Sequence, residues 1–197
     1  MQARAARTRQ ALVDAAATEF DRHGYAGTSM VQVCRAAGIT TGALTFHFGS
    51  KSELADAVQG RGCGTVRAAV DRVRTAPRPA LDLVVELTVR LARLLEDDAT
   101  VRSAARLTRE RPGAYPGGWS ACWLPTVREL AHRAQRMGQL RAGTPPAAVA
   151  NLAAYLLAGT ETATRAALEA ARKPDAAEQL QQLWGIALRG ICADRDT

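Results

Sequence analysis

The sequence predicts an all-α fold of about nine helices, arranged in one to two compact units. Aromatic residues make up only 5% of the 197 residues, whereas alanine and leucine are abundant, and this balance favours helices over sheets. Apolar side chains recur every three to four residues through most of the chain, and glycine and proline clusters separate these stretches. The chain has no run of 18 apolar residues, so we expect no membrane span.

The first helix is predicted over residues 4–23. Leu12, Ala16 and Phe20 lie on one face and form its inner stripe, and Gly24 ends it. Three arginines stand at its start: Arg4, Arg7 and Arg9. Such a basic arm can lie along a phosphate backbone, or it can be a solvated terminus, and the sequence leaves both interpretations open.

Two short helices joined by a tight turn follow. Thr28 or Ser29 can cap the first of them, because a hydroxyl there accepts a first-turn N–H, and Gly38 can adopt the left-handed conformation that ends it. Thr40 and Thr41 offer a cap for the second, which has barely two turns. This is the outline of a helix-turn-helix, whose second helix lies in the DNA major groove. Many small helical proteins contain helix–Gly–helix, so the pattern alone leaves DNA binding open.

A capping box at residues 50–53 marks the start of the fourth helix. The positive end of this helix and Lys51 suit a DNA phosphate, unless Lys51 is merely exposed. Gly60, Gly62 and Gly64 alternate through the middle of the helix, where each costs about 1 kcal/mol against alanine. They either form a soft joint or lie in a straight helix and admit a close neighbour.

Five further helices are predicted after Pro79. They cover residues 80–96, 100–110 and 119–140, then about 146–171, and finally the stretch that follows Lys173-Pro174. A Pro/Gly-rich loop at 111–118 separates the second from the third. Pro125 lies inside the third, so that helix either begins near Pro125 or kinks there. The apolar stripe of the third contains Trp119, Trp123, Val127, Leu130, Ala134 and Met137.

The last two helices each carry a continuous apolar stripe. In the first of them the stripe is Val149, Leu152, Ala153, Leu156, Thr160 and Ala163. In the second it is Leu180, Leu183, Trp184, Ala187, Leu188 and Ile191. Both stripes either face an internal core or pair with their copies in a second chain as a four-helix interface.

The composition and the motifs limit the kinds of function that we expect. A formal charge of +7 and a pI near 9.9 suit an acidic partner. The four cysteines form no C-x-x-C pair, so we expect no zinc site and a reducing cytoplasm: Cys34, Cys63, Cys122 and Cys192. The sequence contains no G-x-S-x-G, H-E-x-x-H, phosphate loop or dinucleotide fingerprint, and its three histidines are far apart. We therefore expect neither an enzyme nor a bound cofactor.

The helix-turn-helix region resembles the tetracycline-repressor (TetR) family. The matching residues are Phe20, Gly24-Tyr25, Thr28, Ala37-Gly38, Gly42-Ala43-Leu44, Phe46-His47-Phe48, Lys51 and Leu54. In order they give a helix, G-Y-x-x-T, A-G-[VI]-[TS]-x-G-x-L, an aromatic-His-Phe run and S-K-x-x-L. The resemblance implies a DNA-binding domain at residues 1–50. It also implies a helical ligand-binding and dimerisation domain at residues 51–197, with the homodimer formed through residues 145–193.

The resemblance also implies a set of DNA-binding residues on a near-palindromic operator. Base edges are expected near Thr40, Thr41, Gly42 and Phe46, and phosphates near Thr45, His47 and Lys51. Thr28 belongs to the implied set as well, and His47 can instead be a capping or packing histidine. Thr45 stands where the family usually has tyrosine, and Thr41 where close relatives often carry lysine. Both departures should weaken the salt-sensitive, backbone-contact part of binding.

Shorter matches resemble the γ-butyrolactone receptor branch of that family. They are VRSAARLTRE at 101–110, the following Pro/Gly loop, Trp123 with R-E-L at 128–130, AGT at 158–160 and LWGIALRG at 183–190. Members of that branch are homodimeric repressors that release DNA when a small, largely apolar lactone or furan binds. This implies an effector site formed by Trp123, Val127, Leu91, Thr160 and Leu156.

Two of these effector-site residues have an ordinary structural interpretation as well. Trp123 can be a core tryptophan, and the Thr160 hydroxyl can bond its own backbone. A multidrug-like or ligand-independent regulator of the same family is the alternative function.

Overall fold

The computed structural model describes residues 2–116 and 118–192, and within them the fold is all-α, as predicted. The helices are α1 (Gln2–Gly27), α2 (Met30–Ala37), α3 (Thr41–His47), α4 (Lys51–Arg74), α5 (Ala80–Asp97), α6 (Ala99–Glu110), α7 (Leu124–Arg136), α8 (Pro146–Glu169) and α9 (Ala176–Ile191). A short 3-10 turn at Ser120–Cys122 precedes α7. None of the described helices is both long enough and apolar enough to cross a bilayer.

The first compact unit contains the residues up to Thr65 together with Asp98–Ser120. Its apolar core joins α1, α2, α3, α4 and α6, and its largest members are Leu12, Phe20, Leu44, Phe48, Leu54 and Leu107. The predicted inner stripe of α1 is fully buried, which confirms it. Gly24 interrupts α1 with φ 72° and ψ 177°, so the regular helix ends where the sequence predicts.

Helix α6 joins this unit because its side chains bind the end of α1. Arg102 lies 2.7 Å from the Asp21 carboxylate, and both side chains are nearly buried. Arg106 donates to the Asp21 carbonyl at 2.7 Å, and the Tyr25 N–H donates to Glu110 at 2.5 Å. The compact units therefore divide the chain differently from the predicted domains at 1–50 and 51–197, which remain a prediction about function.

Helix α4 is continuous through its three glycines. At Gly62 an added Cβ would lie 2.6 Å from the Ala104 Cβ and 2.7 Å from the Thr100 carbonyl oxygen of α6. At Gly64 it would meet no atom of the described residues within 4 Å. Close approach of a neighbour thus explains Gly62, and a soft joint at Gly60 and Gly64 stays a prediction.

The start of α4 is capped almost as the sequence predicts. The Glu53 N–H donates to the Ser50 hydroxyl at 3.1 Å. The Glu53 carboxylate reaches one residue further back than expected and accepts from the Gly49 N–H at 2.8 Å. The difference is local, and the side chain still satisfies a backbone donor just before the helix.

The second compact unit contains residues 66–97 and 121–197, of which the structure describes those up to 192. Helix α7 begins at Leu124 with Pro125 in its first turn, so the first of the two interpretations of Pro125 is confirmed. The helix ends at Arg136, and Gly138 follows with φ 65°. Met137 is 66% exposed, so its assignment to the apolar stripe is wrong.

The predicted apolar stripe of α8 is divided between the core and the surface. Val149, Ala153 and Thr160 are buried, whereas Leu152 and Leu156 are half-buried and Ala163 is exposed, so the stripe does not simply face an internal core. The buried residues are Pro146, Val149, Ala150, Ala153, Leu157, Thr160, Glu161, Thr164 and Ala167. Apolar residues occur around much of this helix, and a pattern of that kind does not identify one inner face.

The apolar stripe of α9 is also divided between the core and the surface. Leu180 and Trp184 are buried, and the Trp184 indole N–H donates to the Thr88 hydroxyl on α5 at 2.8 Å. Leu183 is 47% exposed, so it does not belong to the inner face. The indole hydrogen bond therefore fixes which side of α9 packs inward.

Candidate nucleic-acid interface and effector region

Capping interactions fix the ends of α2 and the start of α3. The Gln32 N–H donates to the Ser29 hydroxyl at 3.2 Å, and the Ser29 N–H donates to the Gln32 side chain at 2.7 Å. Gly38 ends α2 with φ 65°, and the Ala43 N–H donates to the Thr40 hydroxyl at 3.3 Å. The turn between the two helices therefore has a defined geometry, as a helix-turn-helix requires.

Helix α3 is held to the core by Leu44, which is fully buried. Phe48, just past its end, is also buried, and the Arg9 guanidinium lies 4.9 Å from the centre of its ring. The remaining predicted recognition residues face outward: Thr40, Thr41, Gly42, Thr45 and Phe46 are exposed and His47 is half-buried. Their exposure agrees with the prediction, and their contact with DNA remains a prediction.

The outward face of α3 offers hydroxyls, an open glycine and one large apolar ring. Phe46 is 81% exposed, and its ring meets the His47 ring edge-on with centroids 5.2 Å apart. Gly42 lies one turn earlier on the same face, and within the part of the chain that the structure describes an added Cβ there would meet no atom within 4 Å. The Thr45 hydroxyl donates to the Gly42 carbonyl at 3.0 Å. The α3 backbone can therefore approach another surface closely at Gly42.

Thr28 and Lys51 have structural contacts instead of an open face. Thr28 is 2% exposed, and its hydroxyl donates to the Gly24 carbonyl at 2.8 Å. The Lys51 ammonium donates to the carbonyls of Tyr25 and Thr28 at 2.8 and 3.0 Å. These bonds connect the end of α1 to the start of α4. The geometry gives no support to a DNA contact by Thr28, and it leaves Lys51 with one N–H for a phosphate.

No carboxylate side chain occurs from Arg22 to Ser52, the stretch that includes α2 and α3. Arg22 and Arg35 are exposed within it, and the three arginines of the N-terminal arm are exposed on α1. The nearest following carboxylate, Glu53, accepts a hydrogen bond from the Gly49 N–H, and the exposed arginines attract phosphates. Sequence reasoning from the overall charge missed this local pattern, although the sequence alone contains it.

Tyr25 lies between two cations in the same unit. The Lys51 ammonium is 4.3 Å and the Arg111 guanidinium carbon 4.8 Å from the centre of its ring. Arg111 also binds the Asp56 carboxylate at 2.8 Å and the Ser52 hydroxyl at 2.7 Å. This arrangement joins the end of α6 to the start of α4. No local sequence signal could have revealed it, because the partners are far apart in the chain.

The predicted effector residues lie on helices that pack against one another in the second unit, α5, α7 and α8, with Trp123 at the N-cap of α7. Leu91, Trp123, Val127 and Thr160 are buried and Leu156 is half-buried. The Thr160 hydroxyl donates to the Leu156 carbonyl at 2.9 Å, which is the backbone bond that the sequence left open.

Thr164, one turn after Thr160, was missed by the sequence reasoning. It is fully buried, and its hydroxyl has no hydrogen-bond partner among the described residues. A buried hydroxyl without a partner can donate to a bound ligand at little cost. The signal was weak, because a threonine in a helix usually bonds the carbonyl one turn before it.

The second unit also has two surface grooves that do not include the predicted effector residues. One, of about 820 Å³, is lined by Arg93, Glu96, Lys173, Pro174, Asp175, Ala177, Glu178, Gln181 and Gln182. The other, of about 560 Å³, is lined by Arg78, Asp82, Val85, Glu86, Val89, Arg90, Arg93, Gln181 and Leu188. Both are largely polar and charged, unlike the apolar wall expected for a lactone. Among the described residues, no group of three His, Cys, Asp or Glu side chains could hold a metal ion.

Helices α8 and α9 carry large apolar side chains on their outer surface. Tyr155 is 75% exposed, Ile186 is 60% exposed and Leu183 is 47% exposed. Gly159 and Gly185 are exposed on the same helices, where they allow close approach. Exposed apolar side chains concentrated on two helices are typical of a surface that another protein chain covers.

Comparison with known proteins agrees with this arrangement. Residues 12–58 match the family model of bacterial regulatory proteins of the tetR family, which covers α2, α3 and their neighbours. The chain is similar to the A-factor receptor protein of Streptomyces griseus, with 28% identity over 193 residues, 96% of this chain. It spans 66% of that protein's length, just under two thirds.

Solved structures are similar over nearly the whole chain. One, described as the molecular basis for control of antibiotic production by bacterial hormones, is 30% identical with a TM-score of 0.74, covering 95% of this chain and 98% of that one. A gamma-butyrolactone receptor (ArpA-like protein) is 25% identical with a TM-score of 0.79, covering 97% and 90%. The matched helix-turn-helix and the near full-length similarity lead to one conclusion: this chain belongs to the tetR family of bacterial regulatory proteins.

Proposed function

We propose that the protein is a ligand-responsive transcriptional regulator, a repressor that leaves its operator when a small apolar signalling molecule binds. The observation that carries this proposal is α3. It is a short helix capped at Thr40 and anchored at Leu44, and its other face is exposed within a stretch that lacks carboxylates. Membership of a family of bacterial regulatory proteins supports the same function.

On DNA, each α3 lies in a major groove and the arm that contains Arg4, Arg7 and Arg9 follows the phosphate backbone. Two copies of the chain bind a near-palindromic site, with their α3 helices about 34–36 Å apart in the bound form. The copies associate through the outer faces of α8 and α9, where Tyr155, Leu183 and Ile186 are exposed. The protein acts in the cytoplasm and has no catalytic role.

The effector binds inside the second unit, among Leu91, Trp123, Val127 and Leu156. Thr164 supplies the hydroxyl that the ligand's polar end requires, because the Thr160 hydroxyl is already bonded to the Leu156 carbonyl. The similarity to a gamma-butyrolactone receptor and to the A-factor receptor supports a γ-butyrolactone or a furan as the ligand class. A coupling of about 1–3 kcal/mol between the two sites would change DNA affinity about 5–150-fold.

The test is a selection of random duplex DNA by the purified protein, followed by footprinting of the enriched site with candidate lactones and furans. We expect a palindrome that is released by one class of compound. A palindrome that multidrug-like compounds release, or that no compound releases, would favour the alternative regulators. Failure to enrich any sequence would overturn DNA recognition itself.

A matched pair of variants tests the effector site. Thr164→Ala removes the hydroxyl without a partner, and Thr160→Ala removes one that is bonded to its own helix. We expect Thr164→Ala to raise the concentration of effector needed for release about 5- to 10-fold, in line with one hydrogen bond of about 1 kcal/mol. Thr160→Ala should leave it nearly unchanged. Equal effects of the two variants would contradict the assignment.

A further inference from the structure

We propose that the protein reads thymine methyl groups, and that Phe46 contacts the 5-methyl of one thymine in each half of the operator. This inference rests on the proposed function, since it names the chemical feature of the DNA that α3 recognises. It is carried by the exposure of Phe46 and by the kinds of side chain that α3 presents.

Phe46 lies on the outward face of α3. Leu44 and Phe48, two residues to either side, are both buried, so the core takes those side chains and leaves Phe46 81% exposed. One turn earlier Gly42 has no side chain and open space around it, so a DNA groove can come close to this face of the helix. The His47 ring meets the Phe46 ring edge-on, with centroids 5.2 Å apart. Phe46 is therefore an apolar ring presented to a partner of suitable chemistry.

Helix α3 has few side chains that can form hydrogen bonds with base edges. The helix contains no Arg, Lys, Asn or Gln, the side chains that form bidentate pairs with guanine or adenine. The Thr45 hydroxyl already donates to the Gly42 carbonyl, and two of the three Lys51 donors bind backbone carbonyls. Apolar contact with the thymine methyl is the readout open to phenylalanine and to a threonine methyl. Without a side chain for a bidentate pair, α3 should discriminate between bases through methyl contacts together with single hydrogen bonds from Thr40 and Thr41.

The charge of the surrounding stretch favours DNA as the partner of this ring. No carboxylate occurs between Arg22 and Ser52, and Arg22 and Arg35 are exposed in that stretch. Exposed arginines attract phosphates. A buried methyl contact contributes enough to change affinity about 4-fold, so two half-sites give about 15-fold.

Uracil provides the test, because it differs from thymine only by the methyl group and keeps the same hydrogen-bonding edge. The operator enriched from random DNA is prepared with thymine replaced by uracil at one symmetric pair of positions at a time. We expect one pair of replacements to weaken binding of the full-length protein about 15-fold, measured by fluorescence anisotropy. For Phe46→Ala, the thymine and uracil operators should bind with equal affinity.

Two further variants keep the interpretation of the test clear. Met137→Ala removes another exposed apolar side chain, 66% exposed and in the second unit, and should keep the full thymine preference. Phe46→Leu keeps an apolar group at the same place and should therefore keep part of the preference for thymine over uracil. Thermal unfolding of each variant verifies that it is folded.

The outcomes separate this inference from the proposed function. If every uracil operator binds the unmodified protein within about 2-fold of the thymine operator, methyl readout is overturned and the regulator assignment stands. A Phe46→Ala protein that binds more weakly but keeps the preference for thymine also overturns it, because the ring would then contact something else. If selection enriches no sequence at all, the proposed function fails and this inference fails with it.

Discussion

Helices α3 and α6 lie in the same compact unit, but they use their side chains in opposite ways. In α3 Leu44 is buried and most other side chains face outward. In α6 half of the residues are buried, Arg102 and Arg106 bind the end of α1, and the close contact at Gly62 holds it against α4. We therefore expect substitutions on the outward face of α3 to change what the protein binds. Substitutions in α6 should instead change the stability of the unit.

The largest effect is expected at Arg102. Its replacement by alanine removes the 2.7 Å ion pair with the nearly buried Asp21 carboxylate, and we expect a loss of about 3–5 kcal/mol in the free energy of unfolding. Urea unfolding measures it. Arg22→Ala, at the exposed arginine next to Asp21, should change stability by less than about 0.5 kcal/mol. If the two variants were equally stable, α6 would not be held by this ion pair.

Replacement of Leu44 should give the next largest loss of stability, because Leu44 is the buried side chain of α3. Leu44→Ala removes the buried anchor of a seven-residue helix, so we expect a loss of about 2–5 kcal/mol. Thr41→Ala, on the exposed face, should lie within about 0.5 kcal/mol of the unmodified protein. Denaturant unfolding of both compares them directly. A large loss in Thr41→Ala would break the distinction between the two helices.

Two glycines of α4 test how closely α6 packs against it. Gly62→Ala places a methyl group 2.7 Å from the Thr100 carbonyl oxygen, which should destabilise the protein by about 1–3 kcal/mol. In Gly64→Ala the new methyl group has no described neighbour within 4 Å, so the substitution should stabilise the helix by about 1 kcal/mol. Thermal unfolding distinguishes them by the sign of the change. If both variants were stabilised, close packing at Gly62 would be refuted.

The smallest effect is expected at Glu110, and it depends on pH. Burial raises the pKa of Glu110, but hydrogen bonds from Arg106 and the Tyr25 N–H, with the charges of Arg106 and Arg109, outweigh it and leave the pKa below its ordinary value of 4.5. A carboxylate with a lowered pKa contributes stability above that ordinary value and loses it as the pH falls through the lowered one.

The melting temperature of Glu110→Gln, followed as a function of pH, measures this contribution. The variant should melt at a lower temperature than the unmodified protein near pH 7, and the difference should shrink below about pH 4.5. A difference that is constant with pH would show that the carboxylate charge does not matter.

Local chemistry explains which parts of the fold could be predicted from the sequence. Ser29, Gly38 and Thr40 mark helix ends because a hydroxyl or a glycine acts on the backbone within a few residues. Pro125 at the start of α7 follows the same rule. These elements were predictable because their physical cause lies inside a short window of sequence.

The direction of a side chain and its distant partners were not predictable. The resemblance to the family selects Thr28 and Lys51 as DNA-binding residues. Their burial and their hydrogen bonds depend on how the end of α1 packs against the start of α4. The ion pair between Asp21 and Arg102 joins residues 81 positions apart. The sequence left open whether the α8 stripe faces a core or a second chain, because Tyr155 and other apolar side chains lie on its outer side and periodicity cannot separate a core from an interface.

The attachment of α3 through Leu44 has a consequence for how this protein could acquire new target genes. Because the outward residues contribute little to folding, exchanging them carries no heavy thermodynamic penalty. The base specificity of the helix can therefore change by single substitutions, in evolution or by design. Leu44 and the capping hydroxyl of Thr40 meanwhile keep the helix in place.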